Sequence, residues 1–185
     1  MKKIFIDCGY NEGTVTSAFR NSLGSDFEFY AFEANPYLYE MFKNVNPFSK
    51  LENKAVWIEN TTIPFYVVTV DRHGNRTSRT GASTLMESKA KWNMSVHKEQ
   101  EIVNVEAIDF SNFIETNFSI DDQIIVKMDV EGAEYQILQK LLETGVINYI
   151  NDLYVEFHDE KVTGVSKKEI MNRLNETNIR LHLWH

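Results

Sequence analysis

Apolar and polar positions follow two rhythms along this chain. Short apolar runs bounded by turn residues alternate with stretches in which apolar residues recur every three or four positions. That alternation predicts an α/β fold with a mostly parallel sheet. Lys3-Ile4-Phe5-Ile6-Asp7 predicts a first strand, which runs into a glycine-containing turn and an amphipathic helix over Thr14–Leu23. Phe27–Phe32 predicts a second strand ending at Glu33. Asn35-Pro36 then starts a helix, with Asn as N-cap and Pro at the first helical position. Leu38, Met41, Phe42 and Val45 follow at helical spacing, and Leu51–Trp57 predicts a third strand.

The next forty or so residues break the pattern. Ile63–Val70 predicts a strand and His73-Gly74-Asn75 a turn, but Arg72–Lys98 has no strong period. The region from about 60 to 100 is therefore expected to be an insertion whose mobile part can act as a lid. The alternation resumes with a strand at Ile102–Ile108, a short helix near Ser111–Asn117, and the apolar run Gln123–Asp129, a strand buried on both faces. Gly132–Glu143 predicts a helix with Tyr135, Leu138, Leu141 and Leu142 on one side. Leu153–Phe157, Ser166–Asn175 and Ile179–Trp184 complete the series as strand, helix and strand. No repeat or linker interrupts it, so residues 1–185 are expected to form one domain.

Composition narrows the setting. An apolar fraction of 43% excludes a disordered chain, and no apolar run approaches the roughly 18 residues of a membrane span. Asp7 comes too early for the N-terminus to be a signal peptide, and the single cysteine, Cys8, permits no internal disulfide. Both features fit a reducing cytoplasm. A net charge of -8 argues against nucleic-acid binding. Yet Asn60–Gln100 holds six basic residues (Arg72, Arg76, Arg79, Lys89, Lys91, Lys98) against three acids. That stretch is either a solvated loop or a lid that meets an anionic ligand.

Chemistry concentrates at three strand ends. The first is Asp7-Cys8-Gly9-Tyr10-Asn11-Glu12-Gly13, where glycines allow a tight turn and close approach of a nucleotide-like ligand. Glu33 follows about twenty residues past Gly13, where a carboxylate can accept hydrogen bonds from ribose hydroxyls. The glycine spacing fits neither the dinucleotide fingerprint nor a phosphate loop. S-adenosylmethionine, which has no phosphates, suits the site better, with Asp7 expected near its cationic end. The second is Lys127-Met128-Asp129-Val130-Glu131-Gly132-Ala133-Glu134, with three carboxylates where ligands bind in doubly wound sheets. Glu134 also suits a helix first turn. The third is Glu156-Phe157-His158. If the two strands are neighbours, Asp129, Glu156 and His158 converge, able to deprotonate a hydroxyl or to hold a cation.

Taken together these segments resemble the FkbM family of class I methyltransferases. Phe5–Thr14 is similar to its cofactor loop, Tyr30-Ala31-Phe32-Glu33-Ala34-Asn35-Pro36 to its ribose-binding strand end, and Gly81-Ala82-Ser83-Thr84-Leu85 to a small serine-containing segment. Lys127–Glu134 is the most family-specific match, followed by Val155–His158. The resemblance implies a Rossmann-like sheet with helices on both faces, and methyl transfer from S-adenosylmethionine to a hydroxyl on a sugar or natural-product-like molecule. Asp7, Gly9, Tyr10, Asn11, Glu12, Gly13, Glu33, Ala34, Lys54, Ala55 and Asp129 are expected at the cofactor, and Asp129, His158 and Glu156 in catalysis. A divalent cation is not expected, because their spacing is not that of a tight metal site. Ala34 replaces the proline common in the family, and only six of the usual seven strands are predicted, which leaves room for completion by a second copy. A nicotinamide-dependent oxidoreductase and a non-catalytic adenosine-ligand binder of the same fold are the alternatives.

Overall fold

The structure is a computed structural model that describes residues 1–70, 73–75, 77, 82–96, 99–158 and 165–184. In chain order the elements are β1 (Lys3–Cys8), α1 (Thr14–Leu23), β2 (Glu28–Phe32), α2 (Pro36–Phe42), β3 (Ser49–Glu52), β4 (Ala55–Trp57) and β5 (Thr61–Val70). They continue with α3 (Glu87–Val96), β6 (Glu99–Asp109), α4 (Phe110–Asn117), β7 (Gln123–Met128), α5 (Glu134–Thr144), a 3-10 turn (Val146–Tyr149), β8 (Ile150–Val155), α6 (Lys167–Asn175) and β9 (Arg180–Leu183).

Six strands form one sheet in the order β3-β2-β1-β7-β8-β9, and every pairing in it is parallel. The order reverses between β1 and β7, so the carboxyl ends of these two neighbours flank a crevice. Side chains alternate across the sheet, as the strand period dictates. Ile4, Ile6, Cys8, Ile124, Val126 and Met128 pack on one face with α4, α5 and α6. Phe5, Phe29 and Ile125 pack on the other, under Phe19 and Leu23 of α1. Helices thus cover both faces. Among the described residues no helix is long and apolar enough to cross a membrane.

Local signals explain most boundaries. Pro36 opens α2 while the Asn35 side chain accepts from the amides of Tyr37 and Leu38, and Ser166 caps α6 through the Glu169 amide. The apolar spacing on α2 misleads, because Leu38 is buried but Met41 and Val45 are about half exposed. The strand predicted over Leu51–Trp57 is two strands. Asn53 Nδ2 donates to the Glu33 carbonyl at 2.7 Å, which turns the chain across the end of β2 and out of the sheet. Ala55–Trp57 pairs instead with β6, and β6 pairs antiparallel with β5. This second, three-stranded sheet has the order β4-β6-β5. It was not foreseen, and neither was α3, which occupies part of the stretch expected to be irregular. Arg72, Arg76, Arg79 and Lys98, basic residues on which the lid expectation rests, lie outside the described residues.

Candidate active site

The loop after β1 and the end of β2 build one end of a cleft. The Gly9 and Tyr10 amides both donate to the Phe32 carbonyl, at 3.1 and 2.9 Å, which folds the loop back over β2. Gly9 has a φ of +91°, and a Cβ there would lie 1.9 Å from the Asp129 carbonyl oxygen. Only glycine fits. Asn11, at φ +52°, turns its amide onto Glu33 Oε2 at 2.7 Å, while the Asn35 amide donates to Oε1 at 2.7 Å. Glu33 is 6% exposed. Burial pushes its pKa up to about 7 against the opposing pull of the two amides.

From Glu33 the cleft runs between the two sheets to Asp129, with about 590 Å³ of space counted out to the mouth. Of the residues expected there, Gly9, Asn11, Glu33, Ala34, Lys54, Ala55 and Asp129 line it. Asp7, Tyr10, Glu12, Gly13, Glu156 and His158 are not in its lining. Tyr10 is buried, and its hydroxyl accepts from Asn46 Nδ2 at 3.0 Å. Asp7, expected near the cationic end of a ligand, is held by protein groups. It is fully buried, accepts from Thr16 Oγ1 at 2.6 Å, and pairs with Lys127 Nζ at 3.2 Å. The insertion supplies lining that the sequence did not reveal: Phe65, Ser83 and Leu85.

At the other end, charged side chains hold one another. β7 and β8 are neighbours, as the expected convergence required, and they bring His158 to Asp129 with Nε2 4.0 Å from Oδ1. Closer partners were missed. His158 Nδ1 lies 2.9 Å from Glu134 Oε1, and Nε2 lies 3.2 Å from Glu131 Oε2. Glu131 also pairs with Lys89 of α3, and its carbonyl accepts from Thr84 Oγ1 at 2.6 Å. Glu134, fully buried, reaches back to accept from the amides of Val130 and Gly132. So Glu134 does more than complement a helix dipole. Its position at the start of a helix without a side-chain N-cap was the available signal. For Lys89 only the basic balance of the insertion hinted at a role.

These contacts set the ionisation. Burial opposes a charge on His158, but the hydrogen bonds and charges of Glu131 and Glu134 outweigh it and lift its pKa to about 10. With that value the ring is an imidazolium at neutral pH, the form that donates a proton and does not accept one. Burial raises the Asp129 pKa above the usual carboxylate value. Lys127 and His158 oppose that rise, and the charges of Glu131 and Glu156 add to it. That influence on Asp129 is the contribution of Glu156 to the site. Asp129, Glu134 and His158 offer three donor atoms within 4.8 Å of one another. A cation there would have to displace the His158 proton and the amides that Glu134 holds, so the donor set suits a proton better than a metal.

The methyltransferase FkbM domain matches residues 7–181 of the chain, a span that contains both ends of the cleft. No curated protein matches. Among solved structures, the methyltransferase FkbM from Methylobacillus flagellatus KT is similar, at 12% identity and a TM-score of 0.45, over 77% of this chain and 29% of that one. This chain therefore spans less than a third of that protein's length.

Proposed function

The chain belongs to the FkbM methyltransferase family, and on that premise we propose that it transfers a methyl group from S-adenosylmethionine to a hydroxyl oxygen of a small, sugar-like or natural-product-like acceptor. The observation that carries this reading is the placement of Glu33. Its two oxygens each accept one backbone amide, which leaves lone pairs for the two hydroxyls of a ribose. The Gly9 turn admits a ligand close to the backbone, and Leu38, Ala55 and Val56 offer a purine an apolar surface. No phosphate-binding loop is present in the sequence, which suits a nucleoside ligand without phosphates.

S-adenosylmethionine supplies a methyl already activated on a sulfonium, so the protein has to align the acceptor and take its proton. Asp129 is the residue for that proton, because it lines the cleft and burial has raised its basicity. His158, protonated and gripped by Glu131 and Glu134, fixes the wall beside Asp129 and holds it by charge. Phe65, Ser83 and Leu85 make the insertion at about 60–100 one wall of this single domain's cleft and, with Asp129, a surface for the acceptor. Calorimetric titration checks the reading. S-adenosylhomocysteine should bind the chain with one site and NAD should not. Preferential NAD binding would overturn it in favour of an oxidoreductase.

A further inference from the structure

Lys127 sits where lysine is seldom found, in a central strand and 2% exposed. It is the register partner of Asp7, and the pair faces α1, whose Thr16 takes the second Asp7 oxygen. A purely structural ion pair would end there. This ammonium instead reaches two more groups, both in the cleft wall. It donates to the Gly9 carbonyl at 2.8 Å and lies 3.6 Å from Asp129 Oδ2. One side chain therefore joins the glycine loop to the Asp129 carboxylate beside it. Burial disfavours its charge, and the charges of Asp7 and Asp129 outweigh that.

We propose that Lys127 is a positioning residue for methyl transfer, tying the cofactor loop at Gly9 to the acceptor-side carboxylate of Asp129 so that donor and base keep a fixed separation. The proposal rests on the reading of the cleft as an S-adenosylmethionine site. It explains why a lysine occupies this strand position: a buried pair that served the fold alone could be replaced by neutral groups at little cost, whereas only a long cation spans Asp7, Gly9 and Asp129.

The Asp7→Asn/Lys127→Met double variant tests it, because removing both charges leaves neither of them buried alone. Its thermal unfolding is read beside its affinity for two probes. S-adenosylhomocysteine reports on the loop, and sinefungin, with an amine where the donor carries its methyl, reports on Asp129. The expected result is an unfolding midpoint at or above the parent's and S-adenosylhomocysteine affinity about tenfold weaker, one charge-assisted hydrogen bond's worth. The parent should bind sinefungin more tightly than S-adenosylhomocysteine, and this preference should disappear in the double variant. Parent-like affinity for both probes would overturn the proposal, and so would a collapse of stability, which would make the pair structural. A parent protein that binds neither probe would remove the reading of the cleft itself, a failure distinct from these.

Discussion

At the Glu33 end of the cleft a carboxylate is held by backbone amides, and at the Asp129 end carboxylates are held by side-chain cations. The amide cradle carries no net charge and draws on two turns, one just after Glu33 at Asn35 and one at Asn11 in the loop after β1. Its weakness is ionisation, because burial leaves the Glu33 pKa at about 7. The cation cluster gathers Lys89, Lys127 and His158 from three separate segments. Its histidine stays charged over a wide pH range, because Glu131 and Glu134 raise the His158 pKa to about 10. Its weakness is that each member depends on the others, so losses there are coupled and not additive.

The largest effect is expected where chemistry and cluster meet. Asp129→Asn should cut turnover on the order of 10²–10⁴-fold, the usual worth of a general base. S-adenosylhomocysteine affinity should change by less than about threefold. Single-turnover assays beside calorimetry measure both, and a large loss of affinity would erase the division of labour between the two ends.

Glu33→Ala comes next and should have the opposite profile, weakening S-adenosylhomocysteine by about 1.5–3 kcal/mol. The pH dependence follows from the raised pKa. The carboxylate is the form that accepts ribose hydroxyls, so affinity should rise between pH 6 and pH 8 as Glu33 ionises through about 7. In the free protein the same shift favours the fold at low pH, and this contribution is lost as pH climbs from the ordinary glutamate range through about 7. Glu33→Gln should flatten both curves. A pH-independent affinity in the parent protein would break the contrast between amide and cation support.

A smaller effect belongs to His158→Gln, with turnover roughly tenfold lower, one charge-assisted hydrogen bond's worth. The stabilisation from the protonated ring is complete below the ordinary histidine value near 6.5 and is lost as pH rises through about 10. NMR titration of the ring should place its midpoint there. A midpoint near 6.5 would restore His158 as the base. The smallest effect is expected at Lys54, whose pairing with Glu52 is partly exposed. Lys54→Ala should change S-adenosylhomocysteine affinity by less than about threefold.

The same contrast decides what the sequence disclosed. The parallel sheet, the helices starting near Pro36 and Ser166, and the Gly9–Glu33 end show in the spacing of residues along the chain. The second sheet was hidden because Asn53 redirects a strand by bonding across space to the Glu33 carbonyl. The partners of His158 were hidden because Glu131 and Glu134 meet it only when β7 and β8 pair, and Lys89 reaches Glu131 only through the folded insertion. The Asp7 partner was hidden for a related reason: its charge is balanced by Lys127 from a strand distant in sequence, and no local pattern announces such a pairing.

The contact between Gly9 and the Asp129 carbonyl also constrains the order in which the molecule can assemble. β1, β2 and β3 can zip together early, since Ile4 finds Glu28 across a single crossover through α1. Lys3 must wait for Gln123, and closing so long an excursion is slow. Until β7 docks, the glycine loop rests only on the end of β2, and the nascent half-sheet carries Glu33 without a finished cleft. A ligand of this cleft thus recognises only the completed sheet. It should retard unfolding while leaving the refolding rate untouched, the kinetic signature of interactions that form after the transition state.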